Sequence, residues 1–380
     1  MPTRVRTPNL LLLCLSLLAP SCRSGSGPVR FGLALSLSDA GVLPMRLGAE
    51  LAVRQINDSG GLDGRPLELV AVNDYGDPDS AAAVASRFYD SDVSAVIGGA
   101  YSGVTLASAP VYNGGRRPLV QLSPSASAPQ LSRAGDYTFR VCPSDVAYGA
   151  ALARFADQQG YSRAAMLFVN DEYGRGVRHA FEYEYARRGG DLVEVDPLRA
   201  SAPDVGAYLA RIAREHAVDV LILATNQDEG LAVLRQIRAS GLKLPVLASD
   251  GMVGAERVAP ALMEGVFVSS AYLVGDSRGE NQRFVAAYRR AYPDAGLPDQ
   301  GAASSYDAVH LLAGAASGGS GARSRIRERL AGVGSTFPGY SGVVGAISFD
   351  SAGDVPSLEA QIGVVRGGEL VPANEGAGRP

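Results

Sequence analysis

Histidine and cysteine are scarce in this chain, with three of each among 380 residues. His179, His216 and His310 each stand alone inside a helical pattern, and no His-Glu-x-x-His or paired-cysteine spacing occurs. The common metal and imidazole chemistries therefore have no visible carrier, and neither a metal nor a cofactor is expected. A phosphate loop is missing: the glycine-rich stretch 314–321 has no lysine after it and reads as a surface loop. Charged residues make up 19%, the formal net charge is −4, and there is no dense Lys/Arg stripe. Nucleic acid thus has no electrostatic footprint to bind. Without a nucleophile or metal set, the chain reads as a binder and not an enzyme.

What is present is an apolar fraction of 46%, ample for packed cores, in a length that suggests two lobes of roughly 150–200 residues each. No long linker separates them, so the chain is expected to cross between lobes several times, which favours a hinge.

Residues 1–21 read as a secretory signal: Arg4 and Arg6, an apolar run at 10–18 too short to span a bilayer, then small residues. Ala19-Pro20-Ser21-Cys22 resembles the lipobox of bacterial lipoproteins, departing from it at Ala19 and Pro20. On that resemblance Cys22 becomes the lipidated first residue of the mature protein and 22–28 a flexible tether. The alternative is a plain signal that removes Cys22 or leaves it unmodified. Cys14 is lost with the signal, so Cys142 has no disulfide partner and reads as a small buried hydrophobe.

Along the mature chain, strand-like apolar runs alternate with amphipathic helical patterns. Strands are predicted at 29–37, 67–72, 93–97, 119–122, 164–168, 218–223, 245–248 and 265–268, with late ones at 346–349 and 360–365. Helices fill the gaps. Repeated βα units imply open parallel sheets covered on both faces, with ligands bound beyond the strand C-termini. The stretch 98–105, GGAYSGVT, fits that geometry: a buried strand ends in glycines and opens a helix whose free N–H groups suit an anion. Ser102 adds a hydroxyl there; Ser102 or Thr105 serves equally well as an ordinary N-cap.

An ordered series of segments carries a resemblance: ELAVRQIN at 50–57, GGLDGRPLELVAVNDYGDP at 60–78, GGAYSGVTLASAP from 98, LSPSASAPQLS from 122 and FRVCPSDVAYGAALA from 139. VNDEYGRG from 169, GLKLPVLASDG from 241, SSYDAVHLLAGA from 304 and YSGVVGAISFDSAGD from 340 continue it. The chain resembles the periplasmic leucine/isoleucine/valine-binding protein family of ABC transporters over nearly all of its mature length.

The resemblance implies an α/β fold of two doubly wound parallel-sheet lobes joined by a three-crossover hinge, the type I periplasmic binding fold. Lobe 1 is expected at 29–143 plus 273–344 and lobe 2 at 144–272 plus 345–380, with crossovers near 141–144, 269–273 and 343–347. It places a ligand carboxylate on Ser102 and on Ser125, Ala126 and Ser127 through hydroxyls and backbone N–H groups, with Tyr101 alongside. From the other lobe, Asp250 meets an ammonium group and Tyr173 packs over the ligand. Asn226 stands where the branched-chain binders often have an aromatic residue, which points to a polar, larger or amide-like solute.

The implied function is a lipid-anchored receptor, monomeric, in the periplasm or at the cell surface, that gives an amino-acid-like solute to an ABC permease and touches the membrane through its anchor only. The alternative is a cell-envelope sensory or partner-binding protein on the same fold.

Overall fold

The computed structural model describes Met1, Thr3 and residues 27–198, 204–215, 217–319 and 321–373. The rest of the predicted leader, Cys22, tether residues 23–26, His216 and the tail 374–380 lie outside the described residues.

The chain opens with β1 (Val29–Leu35), α1 (Leu43–Asp58), β2 (Leu67–Asn73), α2 (Pro78–Tyr89), β3 (Ala95–Gly98), α3 (Ser102–Asn113), β4 (Val120–Ser123) and β5 (Thr138–Arg140). These strands form an all-parallel sheet in the order β2-β1-β3-β4-β5. Buried on both faces, β3 and β4 expose no residue, the pattern expected of central parallel strands. Gly98 ends β3 at φ +142, where a Cβ would sit 2.0 Å from the Ala34 carbonyl oxygen. Only glycine lets the strand turn toward α3 so close to β1.

After β5 the chain enters α4 (Asp145–Gln158), whose N-cap is Ser144. Then follow β6 (Arg163–Val169), α5 (Glu172–Arg187), β7 (Asp191–Leu198), α6 (Gly206–Glu215), β8 (Val220–Ala224), α7 (Gln227–Ser240) and β9 (Val246–Ala248). Two single-turn helices, α8 (Ala255–Val258) and α9 (Pro260–Met263), precede β10 (Phe267–Ser270). The parallel strands β7-β6-β8-β9-β10 repeat the winding order of the first sheet.

The chain then returns to the first core through α10 (Gly279–Ala291), α11 (Gln300–Ala316) and α12 (Arg323–Ala331), where Phe284, Leu312 and Leu330 pack with Phe31 and Leu51. At Gly48 of α1 a Cβ would meet the Ala302 carbonyl oxygen at 2.1 Å, so α1 and α11 touch backbone to backbone. A short ribbon, β11 (Tyr340–Ser341) and β12 (Ala346–Ile347), follows. Finally β13 (Gln361–Arg366) and β14 (Glu369–Pro372) join the second sheet as an antiparallel hairpin beside β10, which makes that sheet mixed at one edge.

The third connection lies later than 343–347. Val343, Val344, Ile347, Phe349, Val355 and Leu358 all pack in the first core, and the chain reaches the second sheet only at Gln361. Asp307 of α11 explains the delay: its buried carboxylate accepts the Val343 and Val344 amides, each at 2.9 Å, and so binds that segment to lobe one. Lobe one therefore extends to about residue 358, not 344.

Cys142 is buried and free, its Sγ directed at the Ala126 carbonyl (3.4 Å), and burial holds its thiol well above the usual range. His310 packs on the Tyr306 ring, and burial lowers it to about 4; His179 is exposed on α5. Helix α11 runs through Gly314 to Ala316, and the glycine-rich turn begins only after it. No described helix is long and apolar enough to cross a membrane.

Candidate functional site

A cavity of about 410 Å³ opens between the two sheets, within the size range of small-molecule sites. Its walls are mainly loops just past the C-termini of β1, β3 and β4 on one side and of β6, β8 and β9 on the other, joined by Gly76 and Pro78 after β2 and by the head of α11. Parallel winding brings all six loop starts to one level, which is why residues far apart in sequence meet.

Tyr101, Ser102, Ser125, Ser127, Tyr173, Asn226 and Asp250 all line this cavity. Ala126 does not. Its side chain is fully buried in a small apolar cluster with Ala128 and Leu131, behind the wall that Ser125 and Ser127 form.

Neither reading of Ser102 or Thr105 as an N-cap holds. Tyr101 is the N-cap residue of α3 and makes no side-chain cap, while Ser102 is already helical. The Ser102 Oγ accepts instead from the Ser127 and Ala128 amides, at 3.3 and 3.1 Å. With two donors on that oxygen, its own O–H remains to be given to a ligand. Thr105 turns back into its helix and donates to the Tyr101 carbonyl at 3.0 Å.

Loop 125–128 keeps its own amides occupied. Those of Ser125 and Ala126 donate to Ser123 Oγ (3.3 and 2.9 Å), and the next two go to Ser102. The loop's backbone N–H groups, expected for a ligand carboxylate, are thus spent internally; the hydroxyls and the uncapped first turn of α3 remain. Ser125 donates to the Ala100 carbonyl at 2.6 Å, which leaves its lone pairs facing outward as acceptors.

Arg140 ties the loop down from behind. Only 1% exposed, its guanidinium reaches the Ser127 and Ala128 carbonyls (2.8 and 3.0 Å) and pairs with Asp354 at 2.9 Å.

On the opposite wall, the Tyr173 hydroxyl takes the Gly251 amide (2.8 Å), lies 2.6 Å from Ser249 Oγ and donates to Asp250 Oδ1 at 2.9 Å. Its single proton goes to the carboxylate, so Ser249 is the donor to the phenol oxygen. Tyr173 therefore fixes the orientation of Asp250. Burial pushes the Asp250 carboxyl up to about 7, against the opposing pull of Tyr173 and nearby amides. With 9% exposure and no basic partner among the described residues, it is a half-satisfied acid facing the cavity.

Other lining residues escaped the sequence reading. Asp39 accepts the Tyr101 hydroxyl and the Gly41 amide; Asp171 caps α5 through Gly174 N at 2.8 Å; Asp228 and Glu229 occupy the first turn of α7. Their one signal was position, since each follows a predicted strand end by a few residues.

A family model described as periplasmic binding protein matches residues 31–369. The chain is similar to Leu/Ile/Val-binding protein homolog 1 of Brucella suis, at 28% identity over 325 residues and 83% of each chain. Among solved structures, an ABC transporter substrate-binding protein from Desulfitobacterium hafniense in complex with Leu matches with a TM-score of 0.77 and 28% identity, over 90% of this chain and 99% of that one. A solute-binding protein of an R. palustris ABC transporter in complex with benzoate shares the fold, with a TM-score of 0.81 at 22% identity, over 91% and 95% of the two chains. The two-lobed α/β architecture is the type I periplasmic binding fold, as the resemblance implied. Fold, cleft and family model agree, and this chain belongs to the periplasmic binding protein family.

Proposed function

We propose that the chain is a lipid-anchored extracytoplasmic receptor that closes its lobes on an amino-acid-like or amide-like solute and delivers it to an ABC permease, without chemical turnover. The carrying observation is the polarity of the cleft. Hydroxyls at Ser102 and Ser127 and the head of α3 lie on lobe one, and the Tyr173-oriented Asp250 lies on lobe two. A zwitterion needs a donor set at one end and an acceptor at the other, because an unpaired charge in an enclosed site costs several kcal/mol. With the two sets on different lobes, ligand bridges them and favours the closed state.

The relatives support the solute class: the Brucella protein is named for leucine, isoleucine and valine, and the Desulfitobacterium structure holds Leu. Anchoring rests on Ala19-Pro20-Ser21-Cys22 alone. Intact-mass analysis of membrane extracts, with Cys22→Ala as the comparison, tests it: the variant is expected in the soluble fraction.

Binding is tested by thermal shift of the purified protein against amino acids, amides and short peptides. A ligand at 1,000 times its Kd should add about 4 kcal/mol, several degrees in a protein of this size. A panel without a hit transfers the reading to an envelope partner.

A further inference from the structure

We propose that the solute carries a second cationic group, as in an α-amino acid ending in an ammonium or guanidinium, and that Asp39, Asp228 and Glu229 receive it. This rests on the reading of the cleft as an amino-acid site and narrows it.

Seven residues lining the cavity bear carboxylates, and none of the lining residues is Lys, Arg or His. Two of the acids are neutralised by neighbours: Asp299 pairs with Arg257 at 2.5 Å and Glu172 with Arg175 at 3.1 Å. Asp39, Asp171, Asp228, Glu229 and Asp250 form no ion pair among the described residues. A neutral amino acid supplies one positive charge, which Asp250 meets. The remaining acids are surplus to such a ligand.

Those acids converge from both lobes. Asp39 belongs to the loop after β1, and at neighbouring Gly41 a Cβ would come within 3.0 Å of Gln227 Oε1 in the first turn of α7. Asp228 and Glu229 follow in that same turn. The Glu229 carboxyl is raised first by burial and then by Asp228, Asp171 and Asp39, so these groups surround one region. Its Oε2 is enclosed and has no hydrogen-bond partner. The head of α7 offsets part of the repulsion, being the positive end of the helix; among the described residues, Asp39 is met on lobe one by one phenol and one amide.

Asp250 stands apart from this group: it is not among the carboxylates that raise Glu229, and the acid it acts on is the buried Asp145. Two separate negative positions in one cavity match a ligand with two separated positive charges. Val42, Met45 and Val253 line the same cavity and suit a methylene stem. A cation held between Asp39 and Glu229 would also tie the lobes together at a second point.

Calorimetric titration of the purified protein with L-lysine, L-ornithine, L-arginine and the neutral isostere L-norleucine tests this. At least one of the three basic amino acids is expected to bind 100-fold or more tighter than norleucine, with an affinity that falls steeply as salt rises. Glu229→Gln and Asp39→Asn should each cut that preference tenfold or more, their folding checked by thermal unfolding. Norleucine or leucine binding as tightly as every basic amino acid overturns the proposal and leaves the amino-acid reading standing. No binding by any of them overturns both. A preference unaffected by either variant also overturns it, because the second charge is then held elsewhere.

Discussion

In both lobes the parallel strands follow one winding order, and in both the cleft draws its lining from residues just past the strand ends. Yet the loops after β3 and β4 present hydroxyls at Ser102, Ser125 and Ser127, whereas those after β6, β8 and β9 present carboxylates at Asp171, Asp228, Glu229 and Asp250. The scaffold decides where a side chain stands; the loop decides its chemistry. Lobe one keeps its loop tightly hydrogen-bonded around Ser102, Ser123 and Arg140. Lobe two keeps a carboxyl whose titration is displaced to about 7 by burial. Around Ser102 the lobe-one wall is settled without a ligand, whereas the acids of lobe two, with Asp39 facing them from lobe one, are under electrostatic tension.

The sharpest way to break this contrast is Asp250→Ala, which should weaken any ammonium-bearing ligand by about 3–5 kcal/mol, as for one partner removed from a buried charge pair. Titration calorimetry reads it, and a fully retained affinity would remove the acidic pole from lobe two. Comparable in size but opposite in kind, Arg140→Met should cost about 3 kcal/mol of stability. It leaves Asp354 and two loop carbonyls without their guanidinium, and a denaturant midpoint close to that of the parent would show that lobe one is not latched in this way.

The pH profile separates the walls next. An ammonium ligand holds Asp250 ionised, so below about 7 binding must release a proton. Affinity should fall by up to about 100-fold from pH 8 to pH 5, measured at constant ionic strength. Stability of the empty protein moves the other way. The native carboxyl titrates near 7 and the unfolded one near its ordinary 3.8, so between these values the native state binds more protons and loses stability as pH rises. Asp250→Asn should therefore raise unfolding stability at pH 8 by up to about 4 kcal/mol, a gain absent below about pH 4; equal gains at both pH values would contradict the assignment.

Ser102→Ala should cost about 1–3 kcal/mol, because it leaves the Ser127 and Ala128 amides without an acceptor. Ligand carboxylates should lose affinity with it, while their amidated analogues lose less. The smallest effect is expected from Tyr173→Phe. Losing one hydrogen bond to Asp250 should raise that carboxyl further and move the acid limb of the binding profile to higher pH, at a cost of about 1–1.5 kcal/mol.

Much of the fold could be read from the chain because β3, β4, β6 and β8 are short apolar runs with helices between them. Strand β7, DLVEVDPL, went unread: half-buried at the sheet edge, it alternates acids with apolar residues and carries Pro197. The third connection was misplaced because Val343 and Val344 are held by Asp307, a contact across more than thirty positions that no local pattern reports. For the cleft, seven of eight expected residues line the cavity, since the motif segments carry backbone turns along with side chains. Ala126 lies between two lining residues in sequence but packs behind them. Asp39, Asp228 and Glu229 went unnoticed because single acids near turns and helix starts are common, and only the meeting of two lobes makes these neighbours.

Arg140, pinning the serine loop to Asp354, has a kinetic corollary. If the solute is the zwitterion proposed above, a socket already held by hydrogen bonds would set an order of events: the carboxylate end would seat first on that half, and swinging of the acidic half would follow as a later, slower step. Isolated fragments of solute, acetate-like at one end, would then register faintly on the open form, whereas amines lacking that end would find nothing prepared to receive them.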